Sequence, residues 1–338
     1  MHSGIQERDG GVARFYRSDS GANAPVSTEI TGYAASTLVY LHARTGKQEY
    51  LDASVRTGRY LANQAWEAAA STFPFEPGAD RAYFFDIGII VRGLLAVWRA
   101  TGEEEFRTRA QEATLSLAFD FLGDGVFHPV ISLPDKQPLP SEPQQAPRWS
   151  RKPGCYQLKS ALAWREIGDP HARQLFDSAV SVALASHETF LEEEKDREKI
   201  MDRLHAYCYF LEALLYTSER HVLDSGINRV AQLLREIQPV FERSDVDAQL
   251  LRVRLIAHHL GIVTLDENAA QEEAARTASF QAVDAVDVRL RGGFWFGRKG
   301  EQTLPFSNPV STAFCLQALA LWDDHQTGRW SFELPQLI

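Results

Sequence analysis

The chain has 338 residues, 44% hydrophobic and 24% charged, with 35 Lys and Arg against 45 Asp and Glu and a net charge of −10. It is long enough to bury a sizeable core, no apolar run approaches the ~20 residues of a membrane span, and no dense basic run could track a phosphate backbone. Neither membrane nor nucleic acid is expected as a partner, and because the first ten residues lack the basic start and apolar core of a secretory signal, a cytoplasmic location is expected.

Residues 30–45 read as an apolar helix that stops at Arg44-Thr45-Gly46, after which Lys47-Gln48-Glu49-Tyr50 opens an amphipathic partner charged on one side. The pair predicts a helical hairpin. The pattern returns over 86–121, where an apolar run from Asp86 to Trp98 stops at Thr101-Gly102 and Glu103-Glu104-Glu105-Phe106 opens its partner. A third hairpin starts at Pro153-Gly154-Cys155, breaks at Gly168-Asp169-Pro170 and returns to about Glu192. A fourth covers roughly 199–237, a fifth roughly 245–283 with its turn near Gly261, and 309–323 forms a sixth apolar helix with Pro309 in its first turn.

Six such openings suit neither a four-helix bundle nor an α/β sheet. The expected fold is all-α, an (α/α)6 toroid spanning 1–338 as one domain, with residues 1–27 as an N-terminal extension packing on the ring; an open helical solenoid is the alternative. In such a ring the more apolar first helix of each hairpin faces inward. The insertions 68–85, 123–152 and 288–308 then gather at one end, where small β-hairpins and functional loops are expected.

Cys155, Cys208 and Cys315 are odd in number, far apart and set in apolar stretches, which predicts buried thiols and neither disulfides nor a zinc site. His258 and His259 are neighbours and point to different sides of a helix, so no metal and no other cofactor is expected. Gly292-Gly293 lacks the strand-to-helix context of a phosphate loop and reads as a turn.

Three segments resemble six-hairpin glycosidase-like (α/α)6-toroid proteins. Thr28-Glu29-Ile30-Thr31-Gly32-Tyr33 is similar to their Glu-x-Thr-Gly-Tyr helix opening, Phe85-Asp86-Ile87-Gly88 to their Phe-Asp-x-Gly start, and Gly154-Cys155-Tyr156-Gln157-Leu158 to a shifted Cys-x-x-Gly-x-x-Gln start. At the third hairpin Lys152-Pro153-Gly154-Cys155 stands where the pattern has Cys-Leu-Thr-Gly. Such proteins include glycoside hydrolases, uronyl hydrolases, sugar epimerases and polysaccharide lyases, and the likeness is greatest to poorly characterised members associated with polysaccharide synthesis. The resemblance implies an oligosaccharide or polysaccharide fragment as partner.

Glu29 and Asp86 each open a predicted inner helix, where a carboxylate is also explained as a capping or first-turn acid. In a ring the two converge, as the acid and base of glycosidic cleavage must. Tyr83-Phe84-Phe85 would raise the pKa of Asp86, making it the acid and Glu29 the base, and Asp247 could replace either. His205 and Tyr207 could instead serve as base and acid for proton abstraction, with Arg252 or Arg254 gripping a sugar carboxylate. Phe75, Trp149 and Trp295 are candidates for stacking on sugar rings, with Arg14, Tyr16, Tyr33, Gln157 and Asn308 as further contacts.

The expected activity is that of a glycoside hydrolase acting on a short oligosaccharide. The alternatives are a sugar epimerase or polysaccharide lyase, and a noncatalytic glycan-binding or scaffold protein of polysaccharide synthesis. A terpenoid-cyclase-like toroid is disfavoured, because there is no Asp-x-Asp-Asp run and Gly293-Phe294-Trp295 is the one repeat-like remnant.

Overall fold

The structure is a computed structural model and describes residues 3–123, 125–140, 149–192, 194 and 196–338. The Pro- and Gln-rich stretch 141–148 of the expected 123–152 loop, and Asp124 within it, lie outside the described residues.

Eleven α-helices occur among the described residues. The first six are α1 (Thr28–Thr45), α2 (Gln48–Tyr60), α3 (Phe84–Thr101), α4 (Glu104–Phe119), α5 (Leu158–Ile167) and α6 (Pro170–Phe190). They are followed by α7 (Arg197–Leu214), α8 (Arg220–Ile237), α9 (Ser244–His259), α10 (Glu267–Ser279) and α11 (Pro309–Thr327). Short strands connect them: β1 (Tyr16–Arg17), β2 (Ala22–Asn23), β3 (Arg81–Tyr83), β4 (Leu122–Gly123), β5 (Val126–Phe127) and β6 (Val130–Ser132), then β7 (Phe241–Arg243), β8 (Gly297–Lys299), β9 (Gln302–Thr303) and β10 (Phe306–Ser307). No described helix is long and apolar enough to cross a membrane, and all three cysteines are free and buried.

The hairpin punctuation has a local cause. Gly46 and Gly102 take left-handed φ of 68° and 72°, and their N–H groups close the last turns of α1 and α3 on the carbonyls of His42 and Trp98. The third hairpin opens later than the sequence pattern suggests. Cys155–Gln157 form a 3-10 turn and α5 begins only at Leu158, because the Gln157 amide is committed to the turn itself, accepting from Gly154 N–H at 3.0 Å.

Contacts group into two compact units: Ile5–Arg14 with Pro25–His187, and Phe15–Ala24 with Glu188–Ile338 and the segment ending at Gly4. The extension expected at 1–27 is thus divided between them. In the N-terminal unit α3 packs against α1 on one side and α5 on the other, with α2 behind α1 and α4 behind α3. Every residue of α3 from Phe84 to Val97 is buried, as a helix enclosed on all sides requires. In the C-terminal unit α9 holds the same position between α7 and α11, with α8 and α10 behind, and its residues from Ser244 to Ala257 are all buried.

Both enclosed helices start directly after a three-residue strand. Antiparallel β3–β6 pairing sets Tyr83 against Val130 and leads into Phe84, whose N–H donates to Pro129 O at 3.0 Å. Antiparallel β7–β8 pairing sets Arg243 against Gly297 and leads into Ser244, whose N–H donates to Phe296 O at 3.0 Å. These ladders fix where the first helical turn of each begins.

Glycines let the helices of the N-terminal unit touch backbone to backbone. A Cβ on Gly32 would lie 2.9 Å from Ile90 Cα, one on Gly93 2.5 Å from Gly32 O, and one on Gly88 2.4 Å from Ser160 Cβ and 2.5 Å from Ser160 Cα. Ser160 Oγ also donates to Phe85 O at 2.7 Å, tying α5 to the start of α3. Because the clash at Gly88 is partly with backbone, relief requires helices to move. Gly88→Ala is expected to destabilise the protein by about 1–3 kcal/mol or more, read as a lower urea midpoint; an unchanged midpoint would contradict the close approach.

Candidate functional site

Neither candidate carboxylate acts as a helix cap. Ser27 is the N-cap of α1, its hydroxyl accepting from Ile30 N–H, while α3 has Tyr83 at its N-cap and no side-chain cap at all. Glu29 is the second residue of α1 and Asp86 the third of α3, so both stand in the first turn, near the positive end of the helix dipole.

Their surroundings are unusual for first-turn acids. Asp86 is 6% exposed, and its Oδ2 finds no hydrogen-bond partner among the described residues. Glu29 keeps some solvent access yet is enclosed closely enough that loss of hydration raises its pKa from 4.5 to about 7, against the opposing charge of Arg14. Asp86 is raised well above the ordinary carboxylate range, first by burial and then by the charge of Glu29, with Arg14 again opposing. The two therefore form one electrostatic unit, in which ionisation of one disfavours ionisation of the other.

Arg14 is held at this place from the other side. Its guanidinium lies 3.3 Å from Glu76 and 4.7 Å from the centre of the Phe75 ring, and Phe75 in turn packs on Tyr83 at 5.2 Å. Thr28 Oγ1 donates toward the carbonyls of Pro74 and Phe75 at 3.0 and 3.1 Å, which ties this loop to the turn that bears Glu29. Beyond Asp86, Phe85, Trp149 and Tyr156 form an aromatic cluster with ring centres 4.8–6.0 Å apart. Tyr156 is fully buried, its hydroxyl donates to Lys152 O at 3.0 Å, and burial together with the Asp86 charge keeps it protonated. Glu29, Asp86, Arg14, Phe75 and Trp149 thus belong to one neighbourhood of the N-terminal unit.

Tyr33 lies buried in α1, and Gln157 is a structural amide, since its Nε2 donates to Phe127 O at 3.0 Å while its Oε1 holds Gly154.

The C-terminal unit contains a second polar cluster, in which His205 has partners other than Tyr207 and Asp247. His205 is buried, but its partner on α7 is Tyr209, whose hydroxyl donates to Nε2 at 3.0 Å, while Nδ1 donates to Gln249 Oε1 at 2.7 Å. Tyr207 lies two residues along, hence on another face, where its ring approaches Gly226 of α8. The carboxylate beside His205 is Asp245, at 3.8 Å from Nδ1; Asp247 instead accepts from Gln238 at 3.1 Å and has its pKa raised by burial and by Glu242. Spacing explains both outcomes, since Asp245 and Gln249 share one helical face as His205 and Tyr209 do.

In this second cluster the buried charges are paired. Arg243 makes a paired contact with Asp245, Nε to Oδ1 at 2.9 Å and Nη2 to Oδ2 at 2.7 Å, reaches Asp202 at 2.7 Å, and lies over the Phe296 ring at 4.7 Å. Burial alone would raise Asp245, but Arg243 holds it below the usual range, and Ser311 Oγ donates to it at 3.1 Å. Burial and the Arg243 charge lower His205 to about 4, so at neutral pH the ring is uncharged, with both nitrogens engaged.

The remaining predicted contacts have structural partners. Arg252 is fully buried, pairs with Glu212 and donates to Gln317 at 2.9 Å; Arg254 is buried on Glu273 at 2.7 Å. Tyr16 donates to Asp287 beneath Arg289, and Asn308 caps α11 by accepting from Ser311 N–H at 2.6 Å. Trp295 is half-buried, and its carbonyl accepts from Ser244 Oγ at 2.7 Å. Among the described residues no group of three or more His, Cys, Asp or Glu could hold a metal ion.

The fold is an (α/α)6 toroid, shared with solved structures of low sequence identity. The chain is similar to the cellobiose 2-epimerase of Spirochaeta thermophila, with a TM-score of 0.72 at 16% identity over 96% of this chain and 93% of that one. A D-mannose isomerase matches with a TM-score of 0.65 at 11% identity, and the GH76 α-mannanase of Bacteroides thetaiotaomicron with 0.61 at 12%, each over 96% of this chain and 93% of the other. No protein-family profile and no curated protein sequence matches the chain.

The raised carboxyl pKa values carry a stability consequence of definite sign. From about pH 4.5 upward the unfolded chain releases the Glu29 proton while the folded one retains it to about 7, so this group lowers stability as pH rises through that window. The penalty is about 3 kcal/mol above pH 7. Glu29→Gln and Asp86→Asn are therefore each expected to raise the melting temperature by a few degrees at pH 8 and to leave it nearly unchanged at pH 4. Equal losses at both pH values would contradict the assignment.

Proposed function

We propose that the chain is a carbohydrate-active enzyme that hydrolyses a short oligosaccharide, with Asp86 as general acid and Glu29 as base or nucleophile. One observation carries the reading: two carboxyl groups on neighbouring helix openings oppose each other's ionisation, Asp86 more strongly raised by enclosure and Glu29 titrating at about 7. Such a division is what glycosidic cleavage asks of its two carboxyls. Asp86, kept protonated, donates to the leaving oxygen as the glycosidic bond breaks. Glu29, in its ionised fraction, takes a proton from the attacking water or itself attacks the anomeric carbon. Arg14 stabilises the ionised form of Glu29, and the neighbouring Phe75 and Trp149 are the aromatic groups assigned to the sugar.

A second reading, sugar epimerisation or isomerisation, is supported by the similar structures named as an epimerase and an isomerase, together with the neutral His205 beside Asp245. Product analysis separates the two. Under the hydrolytic reading, gluco- or manno-oligosaccharides are shortened, Glu29→Gln and Asp86→Asn each lower kcat/KM by about 10²–10⁴-fold, and wild-type activity rises with pH through about 7 as Glu29 ionises. Asp86→Asn removes any alkaline limb. Epimerisation would leave every glycosidic bond intact, place solvent deuterium on the carbon next to the reducing-end carbon, and depend on His205. Wild-type turnover in both carboxyl variants would sink the leading assignment.

A further inference from the structure

The outer face of α4 departs from the polar surface expected of a second hairpin helix. Leu115 and Phe119, one turn apart, are 58% and 71% exposed. Beside them a groove of about 470 Å³ opens between the end of α4, the stretch after α2 and the turn beyond β6. Its volume lies within the range of small-ligand sites.

The groove is stiff on one side. After the π-helical turn Leu61–Ala65 that extends α2, Trp66 packs edge-on against Phe73 at 5.0 Å, and the Arg109 guanidinium lies 4.4 Å from the centre of its ring. Arg109 is itself fixed by donating to Ala62 O at 3.0 Å. Its charges also cancel. Arg109 pairs with Glu112 at 2.5 Å and Lys136 with Asp120 at 2.6 Å, so two cations and two anions line the groove. Asp120 accepts in addition from Ser116 Oγ at 2.6 Å.

That pattern discriminates among ligands. A phosphate, an acidic glycan or a nucleic acid calls for surplus cations, which the groove lacks. A purely apolar partner would desolvate the paired charges without replacing their water. A neutral sugar chain satisfies both parts, since its C–H faces cover exposed rings while its hydroxyls replace water on planar guanidinium and carboxylate groups.

We propose that this groove is a second saccharide-binding site, holding a few residues of a neutral glycan chain on Phe119 and the Trp66–Arg109 platform. The inference rests on the saccharide reading above but uses none of the groups assigned to turnover. The two places are linked through one strand pair: β6, whose turn carries Lys136, is the partner of β3, which leads into the helix bearing Asp86.

The test is gel retardation in soluble neutral glucomannan and mixed-linkage glucan, with acidic polygalacturonate alongside, for wild type, Phe119→Ala and Glu29→Gln. At least one neutral polymer is expected to retard wild type and Glu29→Gln equally. Phe119→Ala, altered at an exposed position, should bind about tenfold more weakly while keeping wild-type turnover of a short substrate. No retardation by either neutral polymer, retardation by the acidic one alone, or retardation unchanged in Phe119→Ala would overturn the site. A wild-type dimer that Phe119→Ala dissolves in sedimentation, without neutral-polymer binding, would also overturn it and identify the face as a self-interface. Glycan retardation that depends on Phe119, without turnover by any form, would reject the hydrolytic function and leave the groove standing.

Discussion

The backbone contact between α1 and α3 is the constraint on which the N-terminal unit depends. With Gly32 against Ile90 and Gly93 against the Gly32 carbonyl, the helices come closer than side chains would permit. Glu29 sits about one turn before Gly32, and Asp86 about one turn before Ile90. The same contact that packs the helices therefore brings the two carboxyls within electrostatic reach of each other. Gly88 repeats the device toward α5, which brings Tyr156 and its aromatic neighbours up to Asp86.

Close packing alone would favour neutralising such a pair. Instead, Arg14 is shared between Glu76, the Phe75 ring and the two acids, and one Asp86 oxygen remains without a hydrogen bond among the described residues. The polar cluster of the C-terminal unit shows the other outcome. There Arg243 answers Asp245 and Asp202, Ser311 supplies a further donor, and His205 is held neutral with both ring nitrogens occupied. A matched network stabilises an arrangement, whereas an unmatched buried acid costs stability and has a proton to give. The contrast is why chemistry is assigned to Glu29 and Asp86.

Much of the fold was legible because glycine punctuates it. Arg44-Thr45-Gly46 and Thr101-Gly102 read as stops and are left-handed helix ends, and the six apolar openings fall on α1, α3, α5, α7, α9 and α11. The site was legible only in part. Glu29 and Asp86 stood out as acids at helix mouths, but their alternative reading as caps could not be weighed without seeing Ser27 do that work. The sequence points to Asp247 and Tyr207 as residue types, while the helical face gives His205 the neighbours Asp245 and Tyr209. The second residue of α9, corresponding to Glu29 in α1, would have pointed to Asp245. Strands of two or three residues, such as β3 and β6, carry too little periodicity to be read, yet they fix where α3 starts.

The most direct measurement of the central claim is the ionisation of Glu29 itself, followed by infrared difference spectroscopy of its carboxyl band between pH 3 and 9, with Glu29→Gln as the blank. A titration near pH 7 that persists in Asp86→Asn is the predicted result, because burial raises Glu29 and Asp86 is still protonated when Glu29 ionises. A titration near the ordinary 4.5 would contradict it.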